Sequence, residues 1–273
     1  MARNEERIQQ PPPVQATPQQ HLTYSPPTTH VSLPSDGKFY PSEHPLHNED
    51  TIEVKHMTTR EEEILTSQAL IQKGLVVERL LESVVLNKQI TPDSLLIGDK
   101  NAILVALRVD AYGAEYNVEL SCPSCGQTST QEIDLSTLGI QGTDVVEEGE
   151  TTDNGTFLVV LPRTTAKVEI RPLTGHDEKQ MSMIAKKAKK YGLEERHITS
   201  QYNQMIVSVN GDTNPITISS FVENLPAFDS RALRKAYKKI TPDLDMSFDF
   251  QCDLCGHEQG MEVPITANFF WTE

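Results

Sequence analysis

The 273-residue sequence predicts an α+β fold, on three observations. All four cysteines fall in two matching motifs, Cys122-Pro-Ser-Cys125-Gly126 and Cys252-Asp-Leu-Cys255-Gly256. Both motifs are flanked by residues that alternate apolar and polar, the period of half-buried strands. Before and between them, apolar residues recur at helical spacing behind capping signals.

A Cys-x-x-Cys turn aims two thiolates at one ion, and the glycine after it tolerates the positive φ such a turn needs. Backbone N–H groups in the turn point at the sulfurs and offset their charge. Two such turns supply a closed tetrahedral zinc site, the structural rather than the catalytic form. The expected ligands are therefore Cys122, Cys125, Cys252 and Cys255, holding structural Zn2+. The flanking strands are residues 116–120 and 131–135, then 247–250 and 261–265. They read as two β-hairpins joined through one ion: a zinc-ribbon-like β unit from residues 114–136 and 246–268. The competing readings are two local disulfides or a redox dithiol. A redox Cys-x-x-Cys opens a helix beside a βαβ unit, and neither motif does. His257 reads as a surface histidine, because four thiolates complete the shell.

Composition narrows the function classes. Thirty-nine acids against 24 bases give a formal charge of −15, which repels phosphate backbones and argues against general nucleic-acid binding. No apolar run approaches the roughly 18–20 residues of a membrane span. The N-terminus lacks the apolar core of a secretory signal. Cysteines used as metal ligands, with none left over, suit a reducing cytosol.

Residues 1–30 form a Pro/Gln-rich arm, expected to be disordered alone or extended along a partner. Residues 31–56 form an extended anchor segment. It contains Leu33-Pro-Ser-Asp-Gly-Lys-Phe-Tyr-Pro41, with a turn at Ser-Asp-Gly and an aromatic anchor at Phe39-Tyr40. A short strand over residues 51–55 follows.

Residues 57–113 are a helical region. Thr59 and Glu62 have capping-box spacing, and Glu61, Glu62 and Glu63 sit in the first turn, where the helix dipole favours them. Gly74 is expected to end this helix. Leu80, Leu81, Val84 and Val85 mark a second helical stripe. A third helix over residues 100–109 is expected behind an Asp99 cap, closed by Gly113.

Residues 137–245 are a mixed α/β insertion. Its acidic stretch at 141–154 reads as a mobile loop. Residues 157–161 and 166–171 read as an antiparallel strand pair, and Thr174 starts a helix stopped by Gly192. A further helix is expected over 194–209, a brief strand over 216–218 and a helical turn over 219–224. The last helix, over 230–240, is expected behind an Asp229 cap.

The chain has no Gly-rich phosphate loop, no His-Glu-x-x-His and no Gly-x-Ser-x-Gly, so no motif speaks for an enzyme. His176-Asp177 stands at a helix start, where a capping role suffices. Two basic clusters, Lys186-Lys187 with Lys189-Lys190 and Arg234-Lys235 with Lys238-Lys239, read as solvated helix faces or contacts with an acidic protein neighbour.

Several stretches together resemble the baseplate hub protein family of T4-like contractile-tailed bacteriophages. They are Leu33-Pro-Ser with Gly37 and Phe39-Tyr-Pro41; Met57-Thr-Thr-Arg-Glu61 with Glu63-Ile-Leu65; and Ile97-Gly-Asp99 leading into Leu107-Arg108 and Ala111-Tyr-Gly113. Both cysteine pairs, Leu225-Pro226 with Asp229, and Phe269-Phe270 complete the set. The resemblance implies a non-enzymatic component of a tail baseplate, or a factor that assembles its hub. It places the protein in the virion, or in host cytoplasm during assembly. The partners it implies are other tail and baseplate proteins, met through the N-terminal arm and the segment from Leu33 to Pro41. A nucleic-acid-binding zinc ribbon is the alternative.

Overall fold

A computed structural model describes residues 25–142, 155–194, 196–263, 265 and 267–270. Residues 1–24 of the arm and 143–154 of the acidic stretch lie outside the described residues. The fold is α+β, with small antiparallel sheets and eight helices among the described residues.

The first core begins with β1 (Thr28–Ser32) and β2 (Thr51–Lys55), paired antiparallel with Val31 opposite Ile52. Helices α1 (Thr59–Thr66), α2 (Gln68–Lys73), α3 (Val76–Val84) and α4 (Ile97–Tyr112) follow. Val76, Leu80, Leu81 and Val84 turn inward from α3 into the same core as Ile103, Leu104 and Leu107 of α4. Phe269 and Phe270 close the same core from the C-terminal end.

The capping box of α1 lies one residue earlier than expected. The Thr58 N–H and hydroxyl both donate to the Glu61 carboxylate, at 3.0 and 2.6 Å. The reason is burial: Glu61 lies under α1, where Lys55 and Ser83 also donate to it, at 2.7 Å for Lys55. Burial alone would raise the Glu61 carboxyl, but Lys55, Ser83 and Thr58 outweigh it and hold it down to about 2. Glu61 ionised therefore contributes stability above the ordinary glutamate pKa, on the order of 3 kcal/mol. That contribution is lost as pH falls toward 2. The expected result is a wild-type acid limb between about pH 4.5 and 2 that flattens in Glu61→Gln, read by denaturant unfolding at each pH. The single helix expected up to Gly74 also breaks, because Ser67 takes an extended backbone between α1 and α2.

Asp99 does not cap α4. The helix starts at Ile97, and Asp99 is buried in its first turn. Its carboxylate accepts from the Ser35 N–H (3.0 Å), the Ser35 hydroxyl (2.6 Å) and the Tyr40 hydroxyl (2.8 Å). The Tyr40 oxygen in turn accepts from the Leu96 N–H. Leu33 and Tyr40 are thus anchored in this chain's own core, which corrects the expectation that they are offered to a neighbour. Gly98 is forced by contact rather than by φ: a Cβ there would sit 2.1 Å from the Pro242 carbonyl oxygen.

Hairpin strands β3 (Glu115–Ser121) and β4 (Thr128–Asp134) leave α4, and the chain then passes through β5 (Ile140–Gln141) into the insertion. A second core forms there on a three-stranded sheet, β6 (Phe157–Val160), β7 (Lys167–Ile170) and β8 (Ile206–Val209), in antiparallel order. Helices α5 (Gly175–Lys190), α6 (His197–Met205), α7 (Pro215–Glu223) and α8 (Ala227–Ile240) accompany it. Phe39 reaches across to Phe157, with ring centroids 5.2 Å apart, and so links the two cores.

Three expectations fail in this lobe. The helix over 194–209 stops at Met205, because the β-branched run that follows joins β7 as β8. The strand over 216–218 is helix α7, started by Asn214, whose side chain accepts from the Ile216 N–H at 3.0 Å, with Pro215 in the first turn. Asp229 is buried and accepts from the N–H groups of Arg163 and Thr164, at 2.8 and 2.9 Å, so it holds the β6–β7 turn rather than a helix end. Thr174 starts α5 as read, and its side chain forms a capping box with Asp177, on which Arg171 is bidentate at 2.8 Å. The chain leaves the lobe through β9 (Asp243–Leu244), which pairs with β5 as a neck. It continues into the hairpin of β10 (Ser247–Gln251) and β11 (Glu258–Glu262), after which Phe269 and Phe270 return to the first core.

Candidate metal centre

The two cysteine turns cap the two hairpins. Ser121 pairs with Thr128 below the first turn and Gln251 with Glu258 below the second. The turns are wired alike. The Cys122 N–H donates to the Gln127 carbonyl and the Gly126 N–H to the Cys122 carbonyl, both at 2.8 Å. The Cys252 N–H donates to the His257 carbonyl and the Gly256 N–H to the Cys252 carbonyl, both at 2.9 Å. Gly126 and Gly256 take φ of 73° and 67°, the left-handed region in which a side chain is strained.

All four sulfurs lie within 4.8 Å of one another. Cys122 Sγ stands 3.7 Å from Cys255 Sγ, and Cys125 Sγ stands 3.8 Å from Cys252 Sγ. Disulfide sulfurs stand about 2.05 Å apart, so neither contact is a bond. Four sulfurs ~2.3 Å from a common zinc at tetrahedral corners would stand ~3.8 Å apart. The cluster therefore has the spacing and the donor set that could hold such an ion. The first cysteine of each pair is buried and the second exposed. Phe250 is buried against Cys122 and Cys252, with Leu120, Phe248 and Met261 around them. Gln131 Nε2 donates across the hairpins to the Gln251 carbonyl at 3.2 Å.

Electrostatics agree with a cation. Backbone N–H groups of Cys255 and Leu254 hold the Cys252 thiol down to about 7. The His257 N–H lowers Cys255, yet desolvation and the sulfurs of Cys125, Cys252 and Cys122 push it up to about 12. A divalent ion held among the sulfurs would favour the thiolate form of its ligands. The His257 side chain bonds Gln259 Oε1 at 3.4 Å and is not part of the sulfur cluster.

Sequence reasoning missed Arg108, which ties this unit to the helices. Its guanidinium is buried and donates to the carbonyls of Phe269 (3.0 Å), Gly113 (2.8 Å) and Glu115 (3.2 Å), beside the Tyr112 and Tyr116 rings. Among the described residues, no helix is long and apolar enough to cross a membrane.

Residues 26–271 match the family model described as T4 bacteriophage base plate protein. No curated protein and no solved structure matches the chain.

Proposed function

Given that the chain belongs to the T4 bacteriophage base plate protein family, we propose that it is a non-enzymatic hub subunit or hub-assembly factor of the tail baseplate, stabilised by structural zinc. The observation that carries this is the span of the family match, residues 26–271, which takes in both cores and both cysteine pairs. The β3–β4 and β10–β11 hairpins form a zinc-ribbon-like unit on Cys122, Cys125, Cys252 and Cys255. Zinc bound there supplies a fixed crosslink and no chemistry. The surrounding residues hold that unit in place: Phe250 packs beneath the turns, and Arg108 fixes the base of β3 to the C-terminal segment. A non-enzymatic role is supported by how the buried ionisable groups are used. Glu61, Asp99, Asp177 and Asp229 each hold a turn, a cap or a loop.

Its neighbours in this reading are other tail and baseplate proteins, met in host cytoplasm during assembly or kept in the virion. An amber codon in this gene, in a host without a suppressor, is expected to abolish contractile tails in electron micrographs. Normal infectious particles under those conditions would overturn the proposal.

A further inference from the structure

Helix α8 has two unlike faces. Asp229, Leu233 and Ile240 are buried in the second core, and Tyr237 packs against it, its hydroxyl accepting from the Leu173 N–H at 3.1 Å. From Arg231 onward, every exposed residue of the helix is a cation: Arg231, Arg234, Lys235, Lys238 and Lys239. Their spacing keeps them on one face, within an arc of about 140° at 100° per residue. Phe228, 60% exposed, continues that face at its N-terminal end.

Dipole compensation explains Lys238 and Lys239, which sit in the last turn. It does not reach Arg231, Arg234 or Lys235. Among the described residues, none of the five enters an ion pair. In a chain of charge −15, five like charges along one helix face repel one another, though Asp245 attracts Lys238.

We propose that this face is the docking surface for an acidic segment of a neighbouring tail protein. The inference rests on the baseplate reading and supplies the chemistry of one contact in it. Charge complementarity names the occupant: a strip of carboxylates matches the cations, and Phe228 gives the strip an apolar end. A nucleic acid fits less well, because the net charge of the rest of the chain repels a long phosphate backbone.

The test replaces Arg231, Arg234, Lys235, Lys238 and Lys239 together with glutamine in the full chain. All five are exposed, so melting temperature and zinc content are expected to match wild type. Complementation of the amber phage is the readout, with tails scored by electron microscopy. The variant is expected to lose tail assembly, while Arg231→Lys/Arg234→Lys, which keeps the charge, retains it. Full rescue by the glutamine variant would overturn the inference while leaving the baseplate reading intact. That reading falls only if the amber phage itself makes normal tails. Should five glutamines unfold the chain, Lys235→Glu/Lys239→Glu provides the same readout with fewer changes. Two further results would also overturn the acidic-neighbour assignment: duplex DNA retained at low salt through these residues, or stripe-dependent self-association in sedimentation. Purified wild-type protein is expected to show neither.

Discussion

Cys122→Ser is expected to abolish zinc binding and to loosen both hairpins, although only the first carries the change. A tetrahedral shell lacking one sulfur cannot hold the second turn against the first. Structural zinc contributes on the order of 10 kcal/mol in small zinc-folded peptides. Here Tyr116, Ile133, Phe269 and Phe270 also hold the unit to the first core. The expected loss is therefore smaller, about 4 kcal/mol, the range associated with losing a metal. Metal analysis should give one zinc per wild-type chain and none in the variant. Hydrogen exchange should rise across 115–134 and 247–262 together, with α3 still protected. An unchanged zinc content and melting temperature would refute the four-thiolate site. A strong chelator, or acid that protonates the thiolates, should reproduce the variant in the wild-type chain.

Asp99→Ala is the second large effect. It strips the acceptor from the Ser35 N–H, the Ser35 hydroxyl and the Tyr40 hydroxyl in one change. Leaving buried donors unpaired costs about 1–3 kcal/mol each before relaxation, so a total of roughly 3–5 kcal/mol is expected. The segment from Leu33 to Pro41 should become accessible to protease well before α4. Burial also raises the Asp99 carboxyl above the usual carboxylate range, against the Ser35 and Tyr40 hydrogen bonds that lower it. The folded chain therefore holds that proton more readily than the unfolded chain. Its contribution is full below the ordinary aspartate pKa and declines as pH rises through the folded value. That sign is opposite to Glu61. Asp99→Asn, which cannot titrate, should remove the decline, as read from denaturant unfolding midpoints from the ordinary aspartate pKa upward.

The sequence was most readable where local chemistry decides the outcome. The paired Cys-x-x-Cys-Gly motifs and their alternating flanks foretold both hairpins, and the four sulfurs do converge. Thr174 was legible as a helix start for the same reason, since its capping partner Asp177 is three residues away. Readings failed where a distant partner decided. Asp99 and Asp229 look like helix caps in sequence, yet each answers to backbone 64–66 residues away. Leu33 and Tyr40 look like bait for another protein because their pocket is built from α4 and its neighbours. The strand at 206–209 needed β7 beside it. The α7 start was a plain miss, since Asn214 followed by Pro215 is a helix start legible without any partner.

The sulfur cluster also imposes an order on synthesis. Its ligands are separated by 127 and 133 positions, so a ribosome finishes the first turn long before the second. At about 5–20 residues per second, the first two thiols wait on the order of 10 s for the other pair. Through that interval the nascent chain offers only half a coordination shell. In the proposed zinc site, ion capture therefore comes late in synthesis, and a chain truncated before residue 252 lacks half of the ligands.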